Sequence, residues 1–126
     1  EVVPLKALAE MDLYLPRPYN VVRRLVDEAF MAAGMVPRVL AEIESASTLG
    51  AVIADGLGMS ILPASMAREV VQAGSAWQSR IVEPVIEAPL ALCQSDHLPL
   101  SEPAQAVKEI LLELVAAMPG SLMASS

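Results

Sequence analysis

Ala51-Val52-Ile53-Ala54-Asp55-Gly56-Leu57-Gly58-Met59-Ser60-Ile61-Leu62-Pro63 is the stretch that decides the fold. Its first half is apolar at helical spacing, and Gly56 is a natural helix stop because glycine enters the left-handed region without a Cβ penalty. Its second half, Met59-Ser60-Ile61-Leu62, is a short apolar run halted by Pro63 and reads as a strand. A helix therefore passes through a glycine turn into a strand. The Gly56-x-Gly58 pair invites a dinucleotide-binding reading, which fails on two counts. Ile61 stands where a third glycine is needed, and a pyrophosphate loop must lead from a strand into a helix so that helix N–H groups face the phosphate.

The same alternation extends outward. Upstream, Leu13-Tyr14-Leu15-Pro16 is a proline-stopped strand, Arg17-Pro18-Tyr19 a loop, and Asn20 a helix cap. Val22, Leu25, Val26, Ala29, Phe30 and Ala33 then recur on one helical face, Arg23, Arg24, Asp27 and Glu28 fall on the other, and Gly34 ends the helix. Residues 38–44 form the next strand, with β-branched Val39 and Ile43, and either serine of Ser45-Ala46-Ser47-Thr48 can cap the helix that carries Leu49, Val52 and Ile53. Downstream, residues 64–73 form a third helix with Met66, Val70 and Val71 inward, and Gly74 closes it. Strand and helix alternating three times predict an α/β fold with a parallel sheet and right-handed crossovers. The character then changes. Residues 81–86 and 88–93 read as extended and are punctuated by Pro84 and Pro89. Ser101-Glu102-Pro103 opens the longest helix, whose apolar stripe is Val107, Ile110, Leu111, Leu114, Val115 and Met118. Pro119-Gly120 stops it, and the tail 119–126 is expected to fray.

Composition narrows the function. Apolar residues make up 55% of 126 residues and aromatics only 3%, so one aliphatic core is expected. A membrane span needs about 20 consecutive apolar residues. Glycine, proline or serine interrupts the charge-free stretches 56–67 and 114–126, so no membrane contact is expected. The chain opens on Glu1 rather than Met, which points to a piece of a longer protein. Net charge is −7, and among the basic residues only Arg23 and Arg24 adjoin. Direct nucleic-acid binding rests on clustered positive charge, so this piece is not expected to touch DNA. A lone Cys93 in an apolar run reads as a buried structural thiol in a reducing compartment, here the cytoplasm.

Catalytic chemistry finds no footing. His97 is the single histidine, it lies in a proline-bounded loop that leaves it solvated, and there is no Gly-x-Ser-x-Gly elbow. One His and one Cys without paired spacing make no metal set, so neither a metal nor a cofactor is expected. Glu42 and Glu44 alternate toward one face of their strand. They could hold a cation, or one could form a salt bridge while the other meets solvent. Ser45, Ser47 and Thr48 lie where a strand's carboxyl end meets a helix N-terminus, the edge at which open α/β sheets bind ligands. Two readings stay open: these hydroxyls only cap the helix, or with its free N–H groups they hold a small anion or carboxylate. Arg17 would share that edge if the sheet is parallel, and Pro63 would complete the wall.

At this point the residue order resembles the effector domain of LysR-type transcriptional regulators. The matching phrases are Asp12-Leu13-Tyr14-Leu15-Pro16, Ala29-Phe30-Met31-Ala32-Ala33-Gly34, Pro37 with Glu42, the stretch 51–63 quoted above, and the opening of the last helix, Leu98-Pro99-Leu100-Ser101-Glu102-Pro103. Within the family the sequence is similar to the nitrogen-assimilation-control branch. The resemblance implies one lobe of a type 2 periplasmic-binding-protein-like fold plus the return strand and closing helix of the other lobe. Residues 12–80 would be the second lobe, and residues 81–118 would cross back and pack on a first lobe absent from this chain. It implies a small-molecule effector in the cleft, contacts at Glu44, Ser45, Ser47 and Thr48, and assembly into dimers or tetramers. DNA would be reached only through a winged helix-turn-helix domain, also absent from this chain. Glu42 and Glu44 would repel an anionic effector unless a cation such as Arg17 neutralised them. Three alternatives share the fold: a periplasmic-type solute-binding protein, an oligomerisation module that binds no effector, and an enzyme, for which the chain holds no nucleophile–base pair.

Overall fold

A computed structural model describes residues 1–89 and 91–118. The elements in chain order are β1 (Val2–Pro4), α1 (Leu5–Leu8), β2 (Asp12–Leu15), α2 (Val21–Ala32), β3 (Arg38–Glu42), α3 (Ala46–Ala54), α4 (Ala64–Ala73), β4 (Arg80–Val82) and α5 (Glu102–Ala116). They fall into two compact units, Glu1–Leu90 and Ala91–Ser126.

In the first unit the expected alternation is present and the pairings are parallel. β2 runs beside β3, with Leu13 opposite Val39 and Leu15 opposite Glu42, and the register slips between Leu13 and Tyr14. One rung extends this sheet on the other side of β2, where Tyr14 N–H donates to Met59 O at 2.8 Å and Leu13 bridges Met59. The strand expected over residues 59–62 thus shrinks to a single bridge. Its chain turns away through Pro63 directly into α4, so the pairing has no room to propagate.

Period-two alternation places Leu13 and Leu15 inward on β2, both with no exposed surface. α2 lays Val26 and Phe30 against them, and Leu5, Leu8 and Ile61 complete the cluster. Burying side chains of this size stabilises by roughly 1.5–3 kcal/mol each, and this apolar patch is what fixes β2 under α2. Residues 1–11 carry no period that separates strand from helix, yet they supply β1 and α1. β1 pairs in parallel with β4, Val3 opposite Ile81, as a second two-stranded sheet. The extended reading of residues 81–86 shortens to β4, and Pro84, which has no N–H to donate, stands two residues beyond it. No ladder forms over residues 88, 89 and 91–93, and Leu90 lies outside the described residues.

α3 and α4 pack side by side. Leu49 and Val70 are buried, and Gly50 brings the helices close: a Cβ there would sit 3.4 Å from Val70 Cγ2. Gly58 makes a second close approach, because the Tyr14 ring occupies the volume a Cβ would take.

The second unit is dominated by α5. Ser101 Oγ accepts from Ala104 N–H at 3.4 Å, Pro103 sits in the first turn, and Lys108 Nζ donates to Gln94 Oε1 at 2.8 Å. No residue of α5 is buried, and Val107, Ile110, Leu111, Leu114 and Met118 are all exposed. The helix stop at Pro119-Gly120 and the tail 119–126 lie outside the described residues.

Candidate functional site

Parallel pairing puts the carboxyl ends of β2 and β3 at one edge of the first unit. Two β-to-α turns meet there, residues 16–20 leading into α2 and residues 43–45 leading into α3. Pairing even outlasts β3 by one residue, since Ile43 N–H donates to Leu15 O at 2.9 Å. The expected edge therefore exists, and it is built by the residues that end the strands.

Ser45 caps α3. Its Oγ accepts from Thr48 N–H at 3.3 Å, and it also hydrogen-bonds the hydroxyls of Thr48 at 3.1 Å and Ser47 at 3.0 Å. The three hydroxyls form one exposed cluster at the helix N-terminus, where partial positive charge gathers. Capping thus belongs to Ser45. Ser47 and Thr48 face solvent beside it.

Glu44 does not meet the Arg17 guanidinium. Oε2 accepts from the Arg17 backbone N–H at 3.0 Å, and Oε1 accepts from Asn20 Nδ2 at 3.2 Å. Asn20 in turn caps α2, its Oδ1 accepting from Val22 N–H at 2.9 Å. Neutral donors hold the carboxylate, so they satisfy its hydrogen bonds without cancelling its charge. No ion pair among the described residues uses Arg17. The condition that a cation such as Arg17 neutralise this edge is not met by an Arg17 ion pair among the described residues; it is the Arg17 main chain that engages Glu44.

The cation that does serve this edge is Arg23. Its side chain is only 11% exposed and its Nε lies 3.0 Å from both Asp27 oxygens. Nη1 donates to Glu42 Oε1 at 3.1 Å and to Pro16 O at 3.0 Å. Burial opposes the guanidinium charge, but the hydrogen bonds it donates to Asp27 and Glu42, and their charges, outweigh it and raise the Arg23 pKa above its ordinary value. Glu42 and Glu44 therefore part company, one in an ion pair and the other on neutral donors. Helical period alone puts Arg23 on the solvent face of α2. The usable signal was its i, i+4 spacing from Asp27 on the first turn after the Asn20 cap, which overhangs the strand ends.

Pro63 sits at the head of α4 with no side-chain cap, and it shares no hydrogen bond with the 45–48 hydroxyls. An open groove of about 570 Å³ runs along the α3/α4 seam, lined by Ala46, Ser47, Gly50, Ala51, Met66 and Val70 among others. Elsewhere, in the second unit, the His97 ring is 90% exposed beside Asp96, and Cys93 is exposed rather than buried as its apolar run suggested. No group of three His, Cys, Asp or Glu side chains among the described residues could hold a metal ion. No helix among them is long and apolar enough to cross a membrane.

A short parallel sheet whose strand ends lead into two side-chain-capped helices, α2 by Asn20 and α3 by Ser45, presents the edge at which open α/β sheets bind ligands, and comparison with known families assigns the chain. The model of the LysR substrate binding domain matches residues 1–116, so the chain belongs to that family. The family carries a periplasmic-binding-protein-like α/β fold. The chain is 47% identical over 114 residues to the nitrogen assimilation regulatory protein nac of Klebsiella aerogenes and 42% identical over 114 residues to that of Escherichia coli K12. Each match covers 90% of this chain and 37% of the relative. An uncharacterised helix-turn-helix-type transcriptional regulator, YfeR of Shigella flexneri, is 32% identical over 111 residues, 88% of this chain and 35% of its own length. The chain therefore spans little more than a third of the curated relatives it matches. No solved structure matches it.

Proposed function

We propose that this chain is the effector-sensing part of a LysR-type transcription regulator acting in the cytoplasm, of the nitrogen-assimilation kind that its relatives' names describe. A small molecule binds between two lobes, and its unequal affinity for two arrangements of lobes or subunits shifts how attached DNA-binding domains sit on an operator. Residues 12–80 supply one lobe. Residues 81–118 supply the crossing segment and closing helix. The regulator reaches DNA through a winged helix-turn-helix domain and works as a dimer or tetramer.

The observation that carries this reading is the exposed hydroxyl cluster of Ser45, Ser47 and Thr48 at the strand-end edge of a LysR substrate-binding chain. Arg17, Glu44 and Pro63 border that edge in the proposed pocket. Glu44, held by neutral donors, leaves negative charge there and favours a polar effector that carries hydrogen-bond donors over a simple carboxylate.

Operator binding by the full-length regulator, measured with and without a small-molecule panel, tests this. A compound should change operator affinity in the wild type and lose that effect in the Ser47→Ala/Thr48→Ala double variant. If the double variant responds as the wild type does, those hydroxyls are only surface around a cap. If no compound acts at all, the region serves oligomerisation alone.

A further inference from the structure

The caps of two helices meet through one carboxylate. α3 is capped by Ser45, and the residue bonded to Ser45 is Glu44. Glu44 reaches 27 residues back to Arg17 N–H and 24 residues back to the Asn20 amide. That same amide caps α2 through its other end. Asn20 N–H also donates to Arg17 O at 2.9 Å, so both donors of Glu44 lie in a single hydrogen-bonded turn.

We propose that Glu44 couples the N-termini of α2 and α3, so that loosening the α3 cap loosens the turn and cap that start α2. An amide whose two ends are both bonded cannot rotate without breaking one bond, so a shift of Glu44 either strips a donor or turns the cap. Arg23 makes a second tie between the same strand ends, through Glu42 and Pro16 O, but touches neither cap. The Glu44 route is therefore separable from it. The coupling is a property of the fold without any bound molecule. Its regulatory use, carrying a contact at residues 45–48 to α2, rests on the sensor reading above.

Hydrogen–deuterium exchange on the intact protein, read by mass spectrometry, tests the coupling. Ser45→Ala should speed exchange in peptides covering residues 46–49 whether or not Glu44 is present. In peptides covering residues 17–22 it should speed exchange about fivefold, the scale of one lost cap, with Glu44 present, and not in the Glu44→Ala background. Peptides around Phe30 report global opening and should stay unchanged. If circular dichroism shows Glu44→Ala unfolded, Glu44→Gln, which keeps one acceptor oxygen, replaces it and should halve the effect. No change over residues 17–22 in Ser45→Ala, or an equal change in both backgrounds, overturns the proposal. Neither result bears on whether an effector binds.

Discussion

Asn20 Nδ2 lies 3.2 Å from Glu44 Oε1 while the opposite end of the same amide takes the Val22 N–H at 2.9 Å. One side chain thus starts α2 and tethers the segment that starts α3. Asn20→Asp separates the two jobs. Aspartate caps as well as asparagine, but it has no donor for Glu44 and sets a second carboxylate against it. Denaturant unfolding should show Asn20→Asp losing about 1 kcal/mol despite the preserved cap, and adding Glu44→Gln should recover part of that loss. Full stability in Asn20→Asp would mean that the amide donor contributes nothing.

Arg23 should matter more than its neighbour Arg24. Removing the guanidinium strands Pro16 O and leaves Asp27 and Glu42 facing each other's charge. Both acids are about two-fifths exposed, so solvent screening keeps the loss to about 1–2 kcal/mol rather than the value of a fully buried pair. Arg23→Met should show that loss in thermal or denaturant unfolding. Arg23→Lys should recover less than half, since one ammonium cannot serve three acceptors in a fork. Arg24→Met should stay within about 0.5 kcal/mol of the wild type.

Gly58→Ala should be costly for a steric reason. Its Cβ would overlap Tyr14 Cε2, so the ring or the glycine turn must move. Overpacking of this kind costs roughly 1–3 kcal/mol. In Gly58→Ala/Tyr14→Ala the clash is gone, and the double variant should be less destabilised than the two single losses added together. Additive losses would mean that the ring does not rest on the glycine.

Truncating the core gives the largest effect. Phe30→Ala removes a fully buried ring between α2 and β2 and should destabilise by about 3–5 kcal/mol. Leu114→Ala on the exposed stripe of α5 should change the unfolding free energy of the isolated chain by no more than about 0.5 kcal/mol. Calorimetric or denaturant unfolding checks both.

Local chemistry made much of the first unit legible. Asn20 and Ser45 cap the helices expected of them, and Gly34 and Gly56 take positive φ, 69° and 71°, at the ends of α2 and α3. Those signals lie within a few residues of what they control. What stayed hidden depends on distant chain. Whether residues 59–62 pair over one rung or four is decided by where Pro63 sends the chain, and residues 2–4 become a strand only because residues 80–82 lie beside them. At the site, the hydroxyl cluster was readable because sequence neighbours build it. The roles of Arg23 and Arg17 were not. Choosing which arginine meets Glu42, and that Arg17 offers its main chain instead of its charge, requires knowing which turns meet in space.

The most direct measurement of the central claim is a thermal-shift screen of the full-length protein against small polar metabolites, with each hit confirmed by calorimetry. A true effector at about 100 times its Kd stabilises by about 2.7 kcal/mol, or roughly 5–10 °C for a protein of this class. At least one compound should raise the melting temperature on that scale in the wild type, and its effect should fall in Ser47→Ala/Thr48→Ala at unchanged basal stability. A panel in which nothing shifts the wild type, or a hit that binds the double variant equally well, would contradict the account.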